Sequence, residues 1–390
     1  MDAYRTPERQ ALRALVTEFT RREIAPNLPA WEREGFLPRE LHRRAAEAGI
    51  LGIGFPEEVG GSGGDLVDVV TFTEALLEHG ASGGIVAGLF SHGIALPHIV
   101  DEAARRRERG DRDGAAYLID RYVAPTLAGE KIAALAVTEP DGGSDVAHLR
   151  TRAKRGTSGA WEVSGAKTYI TSGVRADVVV AAVRTGGDGA VGISLMCLDP
   201  TSDGYAEPRA LEKMGWLCSD PAELAFDGVA VAEVDLLGEG EGFASLARHF
   251  VTERISIAVT AYSTAQRALD LTLDWVRNRE TFGRPLISRQ VVRHTLVEMH
   301  RQVDVARRYT REIAVRYTEG ESVVVEAALA KQTAVDACSY VVDQAVQLHG
   351  GMGYMRESEV ERHYRDARVL GIGGGATEVM TDLVARLLGY

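Results

Sequence analysis

Hydrophobic residues recur with a helical period over the first third of the chain. Residues 6–24 carry an apolar stripe at three- and four-residue spacing, with Thr6 as a capping residue and Pro7 at the first helical position. Further helices are predicted to begin near Pro38 and to cover residues 65–78. Residues 1–127 are therefore expected to form an N-terminal all-α domain.

The pattern changes in the middle third to short β-branched runs separated by Gly and Asp turns, which is typical of strands. These runs are residues 161–163, 169–171, 178–183 and 193–198. We predict a small β domain over residues 128–239.

Long helical periodicity returns in the last third, over residues 243–278, 288–318 and 322–348. Each stretch is too long for an isolated surface helix and apolar enough to pack against the others. We predict a helical bundle over residues 240–390, and the α–β–α order places the chain in the α+β multidomain class.

Composition narrows the classes of protein to which this chain can belong. Its 390 residues are too many for one ordinary core, and 45% hydrophobic residues are typical of a soluble globular protein. No run of about 18 apolar residues is found, so no membrane span is expected. The helical pattern begins at the N-terminus with no segment typical of a targeting signal, so a cytoplasmic location is expected. The excess of Arg over Lys indicates a bacterial origin.

Charge and cysteine content exclude further classes. A net charge of −12 argues against nucleic acid as a partner, because binding to phosphates needs a basic face. Cys197, Cys218 and Cys338 are too few and too scattered for a disulfide framework or a zinc site, so no metal is expected.

Residues 135–145 carry a hydrophobic run directly into a turn of small polar residues. Gly142 and Gly143 allow the backbone to approach a flat or anionic ligand closely, and Thr138 and Ser144 add short hydroxyl donors. Further motifs follow in order: Ser-Gly-Ala-Lys-Thr-Tyr-Ile-Thr at 164–171, Leu-Glu-Lys-Met-Gly-Trp at 211–216, Glu-Leu-Ala-Phe-Asp-Gly at 223–228, Arg-Glu-Thr-Phe-Gly at 279–283 with Gln290, Gln-Leu-His-Gly-Gly-Met-Gly-Tyr at 347–354, and Tyr-Arg-Asp at 364–366.

In this order and over nearly the whole chain, the motifs resemble those of the acyl-CoA dehydrogenase flavoproteins. The resemblance implies an N-terminal helical domain, a middle β-barrel-like domain and a C-terminal four-helix bundle, in agreement with the α–β–α pattern. It also implies FAD as the cofactor and a homo-oligomer, a tetramer or at least a dimer, in which neighbouring subunits share the FAD site. The residues implied to contact FAD are Leu135, Val137, Thr138, Gly143, Ser144, Tyr169, Thr171, Arg279, Phe282, Gln290, Gln347, Gly350, Gly351, Ala376, Thr377 and Glu378.

The reaction implied by the resemblance is α,β-dehydrogenation of a saturated acyl-CoA to the trans-2-enoyl-CoA, an oxidation of a CH–CH donor. A carboxylate removes the α-proton and flavin N5 accepts the β-hydride, after which the electrons pass to an electron-transfer flavoprotein. The α-proton is too weakly acidic for a carboxylate in water, so the site must exclude water from the base and stabilise the enolate.

The position of the base distinguishes subgroups of this family. Many members carry it in a Tyr-Glu-Gly-Thr stretch near the C-terminus, where this chain has Gly374 in place of the Glu. The isovaleryl-CoA and long-chain enzymes instead place a Glu-Arg pair on a bundle helix, and this chain has Glu253 and Arg254 before an apolar run. We therefore expect Glu253 to be the base, with Glu378 as the rival carboxylate that is kept as an FAD contact.

The thioester oxygen is expected to accept from the backbone N–H of Gly374 and from the ribityl hydroxyl of FAD, as in the family. The substrate contacts implied by the resemblance are Ser144, Arg254, Gly374 and Gly375. The small Gly374 favours medium, long or branched acyl chains over butyryl.

Several alternatives remain open on the sequence alone. An acyl-CoA oxidase would use the same residues and pass its electrons to O₂. The acyl chain could be carried by a carrier protein rather than by CoA. A catalytically silent flavin or acyl-CoA binding protein is the alternative from another class, and Glu253 argues against it.

Overall fold

The protein is described by a computed structural model, and the structure describes residues 3–157 and 159–390. Its N-terminal part is helical, as predicted, and the predicted cap is confirmed, since the Thr6 hydroxyl accepts from the backbone N–H of Arg9 at 3.3 Å. The predicted helix 6–24 ends earlier as an α-helix, at Phe19, and continues as a π-helical turn over Thr20–Ile24. The α-helices of this part are α1 Pro7–Phe19, α2 Leu28–Glu34, α3 Arg39–Glu47, α4 Leu66–Glu78, α5 Gly83–Leu89, α6 His92–Glu108, α7 Arg112–Leu118 and α8 Ala124–Leu127.

The middle part is a curled seven-stranded sheet. Strands β1 and β4 pair in parallel, whereas β3 and β7 form a long antiparallel pair, and the strand order is β1-β4-β2-β3-β7-β6, with β5 against β4. The predicted strand at 169–171 is instead the end of β3. The strands are β1 Ala133–Ala136, β2 Arg152–Arg155, β3 Trp161–Ile170, β4 Val178–Arg184, β5 Ile193–Leu198, β6 Arg209–Ala210 and β7 Ala222–Val231.

The C-terminal part is a bundle built on three long helices, which end within two residues of the predicted bounds. A two-stranded hairpin, β8 Glu280–Thr281 and β9 Arg284–Pro285, connects the first two of these helices. The helices are α9 Gly242–Asn278, α10 Gln290–Thr318, α11 Val324–His349, α12 Glu359–Ala367 and α13 Thr377–Leu388.

One apolar core joins the bundle to the N-terminal helices. Small side chains of α9 and α11, among them Ala258, Ala261, Ala330 and Ala334, are fully buried and let the two helices approach closely. Helix α4 also contributes to this core, through Val67 and Val70. The bundle is thereby held against the N-terminal part.

One segment corrects the expectation that no apolar run is long enough to cross a membrane. Within the described residues, Gly83–Glu108 reaches the required length and apolarity, although its backbone is broken between α5 and α6. Because 61% of its most apolar window is buried inside the protein, the segment is weak evidence for a membrane span. Its burial is that of a core helix pair.

Candidate active site

Glu253 lies on α9, and its side chain is only partly accessible to solvent. Burial raises the pKa of Glu253 above its usual range, and the positive charges of Lys331 and Arg254 oppose this rise. A carboxylate with a raised pKa is a stronger base than one in water. Glu253 is therefore suited to remove a weakly acidic proton.

Gly374 lies directly opposite Glu253, in the loop of residues 371–376 that precedes α13. A Cβ placed on Gly374 would be 3.5 Å from Oε1 of Glu253. Gly374 also has a φ of +61°, a backbone conformation that favours glycine. The helix and the loop, the two positions at which the resemblance implies a carboxylate, thus meet at one place.

The side chain of Ile257 fills much of the space beside Gly374. It lies one helical turn after Glu253 on α9, and its Cδ1 methyl would overlap a Cβ placed on Gly374. A side chain at residue 374 therefore cannot be accommodated unless Ile257 moves. The next residue, Gly375, has a φ of +96° and packs in the same way against Met380.

Two polar side chains of α11 hold this loop from beneath. Lys331 is fully buried and donates through Nζ to the carbonyl of Gly373 at 2.6 Å and to that of Gly375. The neighbouring Gln332 donates to the carbonyl of Thr377 at 2.9 Å, and its amide oxygen accepts from the Thr377 hydroxyl. Glu378 lies in the first turn of α13 and is exposed, so the rival carboxylate is not buried.

Arg254 is buried next to Glu253 on α9. Its guanidinium lies 5.9 Å from the ring centroid of Phe250, and its Nε has no hydrogen-bond partner within the described part of the chain. Burial lowers the pKa of Arg254, and the charge of Glu253 opposes this change. A buried guanidinium with an unused N–H is suited to donate a hydrogen bond to an oxygen atom of a ligand.

The turn after β1 is fixed from its buried side. The carboxylate of Glu139 accepts from the backbone N–H groups of Arg150 and Thr151 and from Nζ of Lys167, which also donates to the carbonyl of Val137. These bonds leave the outer side of the turn accessible: Gly143 and Ser144 are exposed, and Leu135, Val137 and Thr138 are half-buried. The turn therefore presents backbone and short hydroxyl groups to a ligand.

Two aromatic side chains near the predicted cofactor contacts are unusually exposed. Tyr169 at the end of β3 is 72% exposed, and Phe282 in the β8–β9 hairpin is 97% exposed. Both have positive φ, near +60° and +51°, which bulky residues rarely adopt. Thr171 is half-buried beside Tyr169 in sequence.

The hairpin and the 347–351 segment lie at the same end of the bundle. Trp275, one turn before Arg279 on α9, donates to the carbonyl of Leu348 at 3.2 Å and stacks on His349. Gln347, Gly350 and Gly351 are exposed there, as are Arg279 and Gln290. The structure thus groups the predicted residues into three patches: the β-domain wall, the Glu253–Gly374 region, and this end of the bundle.

Comparison with protein families decides what this arrangement is. Models of the acyl-CoA dehydrogenase N-terminal, middle and C-terminal domains match residues 6–108, 134–229 and 240–389, in that order. The chain belongs to the acyl-CoA dehydrogenase family. It is accordingly an oxidoreductase, and its substrate class is an acyl-CoA.

Relatives of this acyl-CoA dehydrogenase cover nearly its whole length. The chain is 34% identical over 384 residues to the mitochondrial long-chain specific acyl-CoA dehydrogenase of Rattus norvegicus, covering 97% of this chain and 86% of the relative. It is 30% identical to the mitochondrial isobutyryl-CoA dehydrogenase of Bos taurus, and the match covers 98% of this chain and 89% of that relative. A solved structure of a probable acyl CoA dehydrogenase from Mycobacterium abscessus is 57% identical to this chain, with a TM-score of 0.94. The match covers 99% of this chain and 100% of that one.

FAD is the cofactor of this family, and the residues of this acyl-CoA dehydrogenase fit it. The β-domain turn offers accessible backbone and hydroxyl groups beside the exposed Tyr169 ring, as a flat isoalloxazine needs. At Gly142, Gly350 and Gly351 an added Cβ would meet nothing within 4 Å, so the backbone there is open to a ligand. Which of the predicted contacts bind FAD stays a prediction.

Sequence reasoning missed Lys331 and Ile257, the two residues that enclose Gly374. A signal for Lys331 was present, because it is a lone lysine among apolar residues at helical spacing, including Ala327 and Ala334. Such a lysine must be buried with partners. No signal identified Ile257, which reads as one more residue of an apolar helix.

Proposed function

We propose that this enzyme catalyses α,β-dehydrogenation of a saturated acyl-CoA to the trans-2-enoyl-CoA, with Glu253 as the base. In this step the α C–H bond breaks, the proton moves to the Glu253 carboxylate, and the electron pair is delocalised onto the thioester oxygen. FAD, when bound, supplies the acceptor for the β-hydride.

One observation carries this proposal: the Glu253 carboxylate lies 3.5 Å from where a side chain at residue 374 would begin. A carboxylate on α9 and a carboxylate on the loop would serve the same substrate carbon from these two positions. Because residue 374 is a glycine, Glu253 is the carboxylate available there. Glu378 lies further along the chain and is exposed, so it lacks the burial that raises basicity.

The surroundings of Glu253 match the needs of an α-proton transfer. Burial raises the pKa of Glu253, which brings it closer to the pKa of the activated α-carbon. The Gly374 N–H is proposed to donate to the thioester oxygen, where negative charge develops. A donor of this kind contributes about 10²–10³ in rate.

Medium, long or branched acyl chains are proposed as substrates. This preference rests on similarity to the long-chain and isobutyryl-CoA enzymes, at 34% and 30% identity. The small size of Gly374 contributes less than the sequence suggested, because Ile257 fills part of the space that the missing side chain leaves.

An electron-transfer flavoprotein and further copies of the chain are proposed as partners. A solved structure of the electron transferring flavoprotein of Acidaminococcus fermentans is similar to this chain, at 30% identity and a TM-score of 0.90, over 100% of this chain and 99% of that one. The exposure of Phe282 supports a homo-oligomer, since a fully exposed aromatic ring on a strained hairpin is expected to be covered.

The test is anaerobic mixing of the FAD-loaded enzyme with a panel of acyl-CoAs, from butyryl to palmitoyl and including isobutyryl and isovaleryl. We expect rapid loss of flavin absorbance with the longer or branched members and formation of the 2-enoyl-CoA by mass spectrometry. E253Q should react at least about 10²-fold more slowly. No bleaching with any member would refute dehydrogenation, and a clear preference for butyryl would refute the substrate proposal.

Admitting air to the substrate-reduced enzyme distinguishes the electron acceptor. A dehydrogenase is expected to reoxidise slowly in air and rapidly with an electron-transfer flavoprotein. Rapid reoxidation by O₂ would identify an oxidase instead.

A further inference from the structure

Lys331 stands apart from the other basic residues of the bundle, because its ammonium group is fully buried and bonded to the active-site loop. Its Nζ donates to the carbonyls of Gly373 and Gly375, on either side of Gly374. A carbonyl and the following N–H belong to one rigid peptide plane. Fixing the Gly373 carbonyl therefore fixes the direction of the Gly374 N–H.

The loop has few other means to hold this geometry. Gly373, Gly374 and Gly375 are consecutive glycines, and glycine has the widest choice of backbone conformations. Two of them take positive φ angles, +61° and +96°. A single buried donor that bridges the two flanking carbonyls offsets this freedom.

The charge of Lys331 also acts on the base. Glu253 and Arg254 of α9 are the charged groups that interact with it, Glu253 favourably and Arg254 unfavourably. Burial lowers the pKa of Lys331 to about 8, so the ammonium form still dominates at neutral pH. Lys331 is a cation that binds the loop and interacts electrostatically with Glu253. It therefore stabilises negative charge on the Glu253 carboxylate before proton transfer and on the thioester oxygen after proton transfer.

We propose that Lys331 is a positioning residue for α-proton removal: by binding the carbonyls of Gly373 and Gly375 it aims the Gly374 N–H at the thioester oxygen opposite Glu253. This rests on the proposed function. The proton passes from the α-carbon to Glu253, and Lys331 neither gives nor takes a proton.

The first test isolates the loop from the reaction. Hydrogen–deuterium exchange of the FAD-loaded enzyme should be at least about tenfold faster for the amides of residues 371–376 in K331M than in wild type. Q332M is the matched control, because Gln332 bonds the far end of the same segment, at Thr377. Its effect should be confined to residues near 377. Unchanged exchange of the 371–376 amides in K331M would show that Lys331 does not fix the loop. This result does not depend on whether any acyl-CoA is a substrate.

The second test isolates the proton step. A 3-thiaacyl-CoA has removable α-protons but a sulfur where the β-hydride would leave, so deuterium uptake from D₂O measures α-proton removal alone. We expect K331M to lose about 10- to 100-fold in the uptake rate, with binding of the analogue changed less than about threefold. K331R should have most of the wild-type uptake rate, because an arginine keeps the positive charge and has enough N–H donors to bind both the Gly373 and the Gly375 carbonyl.

The dependence of the deuterium-uptake rate on pH is a further measurement. It would not change if Lys331 only stabilised the fold. Loss of the Lys331 charge raises the pKa of Glu253, so the acid limb of the uptake profile should move to higher pH in K331M. Should K331M fail to fold, K331Q and K331R make the same comparison. Wild-type rates and an unmoved acid limb in K331M or K331Q would overturn the proposal, whereas absence of uptake in wild type would refute the proposed function instead.

Discussion

Glu253 combines two properties that oppose each other in a folded protein. Its burial raises its pKa and so its basicity, but the same burial makes the ionised form costly. The positive charges of Lys331 and Arg254 offset part of that cost. The ionised Glu253 side chain is therefore held at the expense of stability.

This cost predicts a pH-dependent gain in stability for E253Q. Since the folded-state pKa of Glu253 is raised, the folded form binds more protons than the unfolded form between the two pKa values, and wild-type stability falls as pH rises through that window. E253Q should thus have the higher Tm at pH 8, with the difference vanishing at acid pH, where Glu253 is protonated in both states. Calorimetry at both pH values measures this, and equal Tm values at pH 8 would contradict it.

At the residue scale the sequence is enough to propose Glu253 as the base, but it does not reveal which side chains surround Glu253. Glu253 could be proposed because Gly374 lacks a carboxylate, which is a local feature of two short motifs. Lys331 and Ile257 act through contacts with a loop more than 40 residues away in the chain, at Gly373 and Gly374. A pattern of apolar spacing contains no such contact.

The loop of residues 371–376 is the element on which the site depends. It is hydrogen-bonded by Lys331 of α11 and packs against Ile257 of α9, and two of its glycines, Gly374 and Gly375, have positive φ. Its shape is therefore set jointly by two helices rather than by its own sequence.

We predict that G374A is destabilising beyond the cost of its backbone conformation. Gly228 is the matched control, since it has a similar φ of +68° but open space around an added Cβ. G228A should cost about 1–2 kcal/mol from the left-handed conformation alone, and G374A about 0.5–1.5 kcal/mol more, because the terminal methyl of Ile257 must leave its rotamer. Urea denaturation measures both, and I257A should remove the extra cost in G374A/I257A. Equal costs for the two single variants would contradict the packing described.

Among the elements, long helices were predicted far better than short ones. The bounds of α9, α10 and α11 were within two residues because their apolar stripes repeat over many turns. Helix α2 was missed, since its seven residues, Leu28–Glu34, give less than two turns of pattern. The runs at 161–163 and 169–171 were predicted as separate strands because Ser164 and Gly165 interrupt the pattern, and β3 passes through them with a register shift.

At the scale of the whole molecule, the exposed aromatic side chains of Tyr169 and Phe282 are the surface features on which the proposed homo-oligomer depends. Phe282 lies on the hairpin that follows α9, and Trp275 near the end of α9 contacts the segment that holds the exposed Gln347, Gly350 and Gly351. If neighbouring copies cover this end and share FAD there, cofactor binding and assembly are linked.

This linkage predicts that F282D weakens both FAD binding and assembly. Light scattering should give wild type a mass that is a multiple of 42.1 kDa, and F282D should lower the mass and the FAD content together. V191D is the control, because Val191 is also an exposed apolar residue, at 80%, but lies in the β domain. A wild-type monomer with full FAD content would contradict the shared site.

The most direct measurement of the central claim, that Glu253 is the base, is deuterium uptake into a 3-thiaacyl-CoA by wild type, E253Q and E378Q. The account predicts that E253Q loses about 10³-fold in uptake rate while still binding the analogue, and that E378Q keeps at least about a tenth of the wild-type rate. A deuterium-uptake rate for E253Q within tenfold of the wild-type rate would contradict the assignment of Glu253 as the base. So would a loss of uptake in E378Q but not in E253Q.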